Sequence, residues 1–126
     1  MLMVVIAQLF DCFNESTQFG RQDYAAWRQS LSGRKLEFCQ WLEKEGGRRG
    51  ALRRGTIVSY VESLTACSGF VQGILHSNRD FYAMSDALEI ERLQYILQHH
   101  EAYKLFVNTL AISPVTAINR YLDFVR

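Results

Sequence analysis

Apolar residues recur along most of this chain at intervals of three and four positions, which is the spacing of amphipathic helices. The segments that show it are 23–31, 34–45, 56–74, 86–99, 100–110 and 113–126. Polar turns and glycines stand between them, there is a single proline, and the alternation typical of β-sandwiches and barrels is scarce. The pattern therefore predicts an all-α fold, a single compact helical bundle of about five to seven helices.

Local signals indicate where several of these helices begin and end. Gly46 and its neighbouring glycine stop the second segment, and the long third segment is expected to kink or end near Gly69. Ser85 is the expected N-cap of the fourth segment. Ser113 followed by Pro114 predicts the start of the last helix, because proline at the first helical position loses no intrahelical hydrogen bond.

Length and composition favour one domain spanning 1–126, since 126 residues with 48% hydrophobic content can bury a core of their own. Cys12, Cys39 and Cys67 lie in apolar stripes without a CxxC pair, so we expect buried, reduced thiols and a cytoplasmic location. Residues 1–10 are apolar but lack a basic leader and are too short to span a bilayer. We expect a buried helix or an edge strand there, and no membrane partner.

The sequence predicts no catalytic, cofactor or metal site. Its glycines match neither GxGxxG nor GxxxxGK[ST]. His99 and His100 are adjacent, so on a helix they point in different directions, whereas zinc needs ligands on one face. We expect one histidine to pack at a helix junction and the other to be solvated. Glu43 and Glu45 lie two positions apart and are expected on the solvated surface, while Trp41 is expected in the core.

A glycine-punctuated basic loop is the strongest functional candidate. Within seven residues it carries four arginines, Arg48, Arg49, Arg53 and Arg54. It leads into the third segment, and a helix N-terminus favours phosphate through unpaired N–H groups and a partial positive charge. Thr56 or Ser59 is expected to cap or open that helix and to donate to phosphate, and Arg34, Lys35 and Lys44 extend the patch. The alternative is a solvated loop without a ligand.

Charge is segregated along the chain although the net charge is only +1. Residues 34–54 contain seven Lys or Arg and three Glu, a difference of +4. Residues 80–101 contain one Arg and five acidic residues, a difference of −4. The molecule is therefore expected to be dipolar, so that one side can meet a polyanion while the other repels it.

Two stretches resemble known families. Residues 36–46, LEFCQWLEKEG, and 55–64, GTIVSYVESL, resemble the "F..WL...G...TI..Y...L" pattern that opens the SAM-like, core-binding type N-terminal domains of phage integrases, the tyrosine recombinases. The later residues 81–86, FYAMSD, and 117–124, AINRYLDF, are similar to a helical domain that precedes the nuclease in some restriction endonucleases. The resemblance covers 34–126 and leaves 1–33 as an N-terminal helical extension.

In such families the helical domain holds DNA while a separate domain cuts or exchanges strands, which implies a mobile-element or restriction context. This sequence shows no HNH set, no PD-(D/E)xK arrangement and no recombinase Arg/His/Tyr set. We therefore expect a non-catalytic module that binds the backbone of double-stranded DNA through the basic loop, and no enzyme.

The alternative is a protein-interaction module, either a homodimer or a small inhibitor or adaptor. It would use residues 1–10 or an acidic face formed by Asp86, Glu89, Glu91 and Glu101. An enzyme has the weakest support, and nuclease activity lost on mutation of His99 or His100 would establish it.

Overall fold

In the part of the chain that the structure describes, the helical elements are α-helices and one short 3-10 turn. The computed structural model describes residues 21–46 and 50–126. Within these ranges the helices are α1 (Arg21–Gln29), α2 (Gly33–Glu45), α3 (Arg54–Gly73), α4 (Ala87–Gln98), α5 (Tyr103–Val107) and α6 (Pro114–Val125), with the 3-10 turn Phe81–Ala83 between α3 and α4. The predicted all-α class is confirmed.

Helix α3 is the centre of the bundle. It is 20 residues long, and its buried residues fall on almost every side of the helix. Val58, Val61 and Phe70 are fully buried. A helix that is apolar nearly all round must be covered by other elements, and α2, α6 and the 3-10 turn pack against α3, while α4 packs on α6. The expected end near Gly69 is wrong, since the helix continues to Gly73.

An aromatic cluster joins α2, α6 and the 3-10 turn beside α3. The ring of Tyr121 meets those of Phe38 and Tyr82 edge-on, at centroid distances of 5.3 and 5.7 Å. Its hydroxyl donates a hydrogen bond to the Met84 carbonyl oxygen at 3.1 Å. Burial raises the pKa of Tyr121 to about 12. Edge-to-face pairs and a satisfied hydroxyl allow this large side chain to be fully buried.

Helix caps agree with the sequence in one case and differ in another. The Ser113 hydroxyl accepts from the Thr116 N–H at 3.2 Å, with Pro114 directly after it, as predicted. The cap of α4 is Asp86, whose carboxylate accepts from the Leu88 N–H at 3.0 Å. The prediction of Ser85 is wrong because the backbone is still extended at Asp86, so the helix starts one residue later.

The cysteines and histidines have the expected surroundings where they are described. Cys39 and Cys67 are buried and free, whereas Cys12 and the whole of residues 1–10 lie outside the described residues. His100 is half-buried with its ring edge-on to Phe70, and His99 is exposed. No helix in residues 21–46 and 50–126 has the length and apolar character needed to cross a membrane.

Gly46 ends α2 in a conformation that requires glycine. Its φ is 65° and its ψ is −155°, a region that is essentially restricted to glycine. A Cβ at this position would lie 2.6 Å from the carbonyl oxygen of Gly50. The turn therefore brings the backbone after α2 directly against the backbone that leads into α3.

Gly46→Ala is expected to lower the free energy of unfolding by about 2 kcal/mol, because the added Cβ is strained and meets a backbone oxygen. Urea unfolding followed by circular dichroism measures the change. The matched control is Gly69→Ala, where an added Cβ meets nothing within 4 Å. That change should raise the free energy of unfolding by about 0.5–1 kcal/mol, because alanine favours the helix. Equal stability of Gly46→Ala and wild type would contradict the turn.

Candidate functional site

The start of α3 lies in the loop region that the sequence singles out. The helix begins at Arg54, with Arg53 as its N-cap, and within 21–46 and 50–126 no side chain accepts from its first N–H groups. The first bond of the helix runs from the Ile57 N–H to the Arg53 carbonyl at 3.0 Å. The preceding N–H groups of the first turn consequently have no intrahelical acceptor. The side chains of Arg53 and Arg54 are both exposed next to them.

Thr56 and Ser59 do not cap this helix, so that prediction is wrong. Both lie inside α3, because Arg54 and Gly55 already have helical backbone. Ser59 is only 8% exposed, and its hydroxyl donates to the Gly55 carbonyl at 2.8 Å. Bonding to the preceding turn occupies the Ser59 hydroxyl proton. Thr56 is half-buried in the first turn.

The predicted basic patch is divided between the two ends of α2. Lys44 is exposed in the last turn of α2, at the end where the chain approaches the start of α3. Arg34 is in the first turn, with Lys35 next to it, about 15 Å from Lys44 along the helix axis. Arg34 lies 3.7 Å from the Glu37 carboxylate. Lys44, Arg53 and Arg54 thus share one end of the molecule, and we call these three residues with the N-terminus of α3 the basic end.

Arg48 and Arg49 lie outside the described residues. Their predicted contact with phosphate therefore stays a prediction that rests on the sequence. The residues on either side of this segment, Gly46 and Gly50, are described, and both belong to the turn that joins α2 to α3.

A polar network beneath Arg54 connects α1 to α2. The Arg54 guanidinium lies 5.4 Å from the centroid of the Tyr24 ring. The Tyr24 hydroxyl donates to the Glu43 carboxylate at 2.6 Å, and Arg28 Nε donates to the same oxygen at 2.9 Å. Glu43 is therefore not the solvated carboxylate that the sequence predicts. Arg28 compensates the negative charge of Glu43, so Glu43 does not cancel the positive charge of the basic end.

The network shifts the pKa of its members in opposite directions. Burial would raise the pKa of the Glu43 carboxyl, but the hydrogen bonds from Arg28 and Tyr24 outweigh burial and lower it. Burial and the hydrogen bond to Glu43 raise the pKa of Tyr24. Both groups are thus held in the ionisation states that they have near neutral pH, with the carboxyl charged and the phenol neutral.

An open cleft of about 620 Å³ is the feature that sequence reasoning missed, and we call it the α2–α6 cleft. Its lining is Trp41, Glu45, Gly46, Tyr60, Thr116, Asn119, Arg120 and Asp123. The Arg120 guanidinium lies 4.6 Å from the Trp41 ring centroid, donates to the Gly46 carbonyl oxygen and lies 3.5 Å from the Asp123 carboxylate. Trp41 is half-buried: it packs against the core, as expected, and its ring also forms a wall of the cleft.

In the sequence, Arg120 was included only in residues 117–124, one of the stretches that resemble a known family. Spacing could not reveal the cleft, because Trp41 and Arg120 are far apart in the sequence and meet only through the packing of α2 against α6. The sequence did show that Arg120 lies with Thr116 and Asp123 on the polar side of the last helix, but not what that side faces.

The acidic residues of the alternative hypothesis lie before, on and after α4. Asp86 caps the helix, Glu89 and Glu101 are exposed, and Glu91 pairs with Arg126 at 2.7 Å. Among residues 21–46 and 50–126, no group of three or more His, Cys, Asp or Glu side chains is arranged to hold a metal. Burial raises the pKa of both described thiols.

The fold and the site together define a helical bundle with a basic end and a neighbouring cleft. Comparison with protein-family models, with curated proteins and with solved structures finds no match to this chain. Any function must therefore be argued from the geometry and from the resemblance in the sequence.

Stability is expected to depend on pH through Glu43. Its pKa is lower in the folded chain than in the unfolded chain, so its contribution is present above the unfolded value of about 4.3 and is lost as the pH falls through the folded value. Glu43→Gln should reduce the free energy of unfolding by about 1–2 kcal/mol at pH 7. The difference from wild type should shrink in acid.

Urea unfolding of both proteins across the acid range measures this dependence. The matched control is Glu45→Gln, an exposed carboxylate on the same helix, for which the change should stay within about 0.5 kcal/mol. A difference between wild type and Glu43→Gln that is the same at neutral and acid pH would rule out the network as its cause.

Proposed function

We propose that this chain is a DNA-binding helical module without catalysis of its own, and that its basic end binds the phosphate backbone of a duplex. The observation that carries the proposal is the start of α3, where no side chain among the described residues caps the helix and the exposed Arg53 and Arg54 belong to its first residues. A phosphate there would accept from backbone N–H groups and from a guanidinium at once.

The partner is inferred to be a nucleic-acid backbone because the basic end offers several donors for more than one phosphate. Lys44 is exposed at the same end as Arg53 and Arg54. We include Arg48 and Arg49 among the proposed phosphate contacts on the basis of the sequence, in which they lie between Gly46 and Gly50. Contacts of this kind position a protein on DNA but do not read its sequence.

Not every residue of the predicted patch has the same part in this proposal. Arg34 and Lys35 lie at the other end of α2, so they can reach only a different phosphate of a duplex that runs along this helix. Ser59 is left out of the contact because its hydroxyl is bonded to Gly55. Thr56 remains near the N-terminus through its backbone N–H in the first turn.

The resemblance to the core-binding domains of phage integrases and to helical domains of restriction endonucleases supports the same conclusion. In those families a SAM-like helical domain holds DNA for a separate catalytic domain. We infer a similar accessory role for this chain, in the cytoplasm, with duplex DNA as the partner. The acidic residues of α4 belong to a different helix from the basic end, and this separation of charge would orient the docking.

Replacement of Arg53 and Arg54 by Ala should weaken duplex binding and reduce its salt dependence. Two lost phosphate contacts lower the slope of log K against log salt by about 1.8, and loss of Arg48 and Arg49 as well lowers it by about 3.6. Fluorescence anisotropy with a labelled duplex of about 20 base pairs at several salt concentrations measures both slopes.

The matched control removes two exposed cations elsewhere, by Arg92→Ala with Lys104→Ala on α4 and α5. This variant loses the same formal charge as the double variant of Arg53 and Arg54. If the phosphate contacts are confined to the basic end, its slope of log K against log salt should equal that of wild type. Failure of the wild-type chain to bind at low salt would refute the proposal, and equal weakening of the control would refute the assignment to the basic end.

The second candidate function is a protein-interaction module. It is supported by an exposed apolar stripe on α4. Tyr95 and Leu105 are 64% and 76% exposed, and Leu88 and Ile96 on α4 are about half exposed. By their spacing Leu88, Tyr95 and Ile96 share one face of α4, and large apolar side chains exposed together are typical of surfaces that contact another protein. The acidic residues of the alternative hypothesis border the stripe.

If the stripe joins two copies of the chain, sedimentation velocity should show a dimer whose fraction grows with concentration. Ile96→Lys should then restore the monomer, because it places a charge in the interface. The control Gln72→Lys adds the same charge at an exposed position on α3. A wild-type chain that stays monomeric at every concentration would eliminate the homodimer.

A further inference from the structure

The α2–α6 cleft lies beside the basic end but has the opposite electrostatic character. Its lining contains the carboxylates of Glu45 and Asp123 and a single cation, Arg120. It also borders the C-terminal end of α2 at Gly46, where carbonyl groups without intrahelical partners carry a partial negative charge. The cleft therefore disfavours phosphate and favours a cation.

The first turn of α6 also borders the cleft, at Thr116, but does not offset this preference. Ser113 already accepts from the Thr116 N–H, and the Thr116 hydroxyl is 2.9 Å from that of Ser113. The N–H groups at the N-terminus of α6 are thus partly satisfied by the Ser113 hydroxyl. The carboxylate side of the cleft remains the stronger influence on a bound ligand.

Arg120 shows how a cationic side chain is held in this place. Its guanidinium lies over Trp41 and donates to the Gly46 carbonyl, and it approaches only one of the two carboxylates. Among the described residues, the Glu45 carboxylate and the Tyr60 hydroxyl have no hydrogen-bond or ion-pair partner. Both residues line the cleft, as does Asn119.

We propose that the α2–α6 cleft binds one lysine or arginine side chain presented by an extended segment of a partner protein. The cation pairs with Glu45 and Asp123 and lies against the Tyr60 ring, as in other cation–π contacts. The amide nitrogen of Asn119, whose oxygen accepts from Gln94 at 3.3 Å, is free to donate to a backbone carbonyl of that segment. An open cleft of about 620 Å³ accommodates the side chain and the adjoining backbone.

This inference is independent of DNA binding, because none of the residues of the cleft belongs to the basic end. It also differs from the interaction surface on α4, which is apolar. A module with both features binds a duplex through one surface and a basic segment of a partner through the next. Failure of either test leaves the other proposal standing.

Titration of the ¹⁵N-labelled chain with short capped peptides, followed by heteronuclear NMR, tests the proposal. The probes are alanine pentapeptides with a central arginine, lysine or citrulline, the last being a neutral isostere of arginine. The charged peptides should shift the Trp41 indole N–H and the Asn119 side-chain amide, with a Kd of about 1 mM, as expected for a single small anchor. Binding of either charged peptide supports the proposal, and a preference between them narrows the ligand.

Glu45→Gln should weaken binding of the charged peptide about threefold to fivefold, in line with one partly exposed ion pair. Glu89→Gln is the matched control, because it removes the same charge at an exposed position on α4. The stability measurement already described for Glu45→Gln shows whether that variant is folded. Unchanged affinity of the control, together with weaker binding by Glu45→Gln, supports a local ion pair.

Three results would overturn the proposal. The first is the absence of shifts in the cleft at peptide concentrations of about 20 mM, far above the expected Kd. The second is equal affinity for the arginine and citrulline peptides, which would show that charge is not recognised. The third is equal weakening by Glu45→Gln and Glu89→Gln, which would show that only the overall charge of the protein matters.

Discussion

Burial of α3 is the constraint on which the rest of this structure depends. A helix of 20 residues that is apolar on almost every side cannot be stable against water, so the other elements must enclose it. Each large side chain that is fully covered contributes about 1.5–3 kcal/mol. The packing of α2, α6 and the 3-10 turn around α3 follows from this requirement, and α4 then covers the outer side of α6.

The same packing sets two helix ends of opposite polarity side by side. The turn at Gly46 brings the C-terminus of α2 next to the chain that opens α3. The end of α2 carries a partial negative charge and the start of α3 a partial positive charge. Arg120 donates to the Gly46 carbonyl at the first of these, and Arg53 and Arg54 stand at the second. The contrast between the cleft and the basic end thus has its origin in the backbone.

Sequence reasoning succeeded where the relevant physics is local. The positions of the helices follow from the period of apolar residues, and the cap at Ser113 follows from two adjacent residues. It failed where the outcome depends on which helices meet. Glu43 is indistinguishable from Glu45 by spacing, yet only Glu43 faces Tyr24 and Arg28 of α1. The exact start of α3 was missed because Gly55 disfavours helix, a preference that tertiary packing overrides.

A net charge of +1 is compatible with the proposed function because the relevant field is local. Exposed charges more than about 10 Å apart are largely screened at moderate salt, so the charges next to a bound phosphate matter more than the net charge of the chain. Within the basic end, the nearest carboxylate of the network, Glu43, is already paired with Arg28. A phosphate at the start of α3 therefore meets guanidinium and N–H groups without a competing anion from Glu43. The cleft beside the Gly46 turn contains the carboxylates of Glu45 and Asp123, the second of which is paired with Arg120, and the proposed cation would bind there.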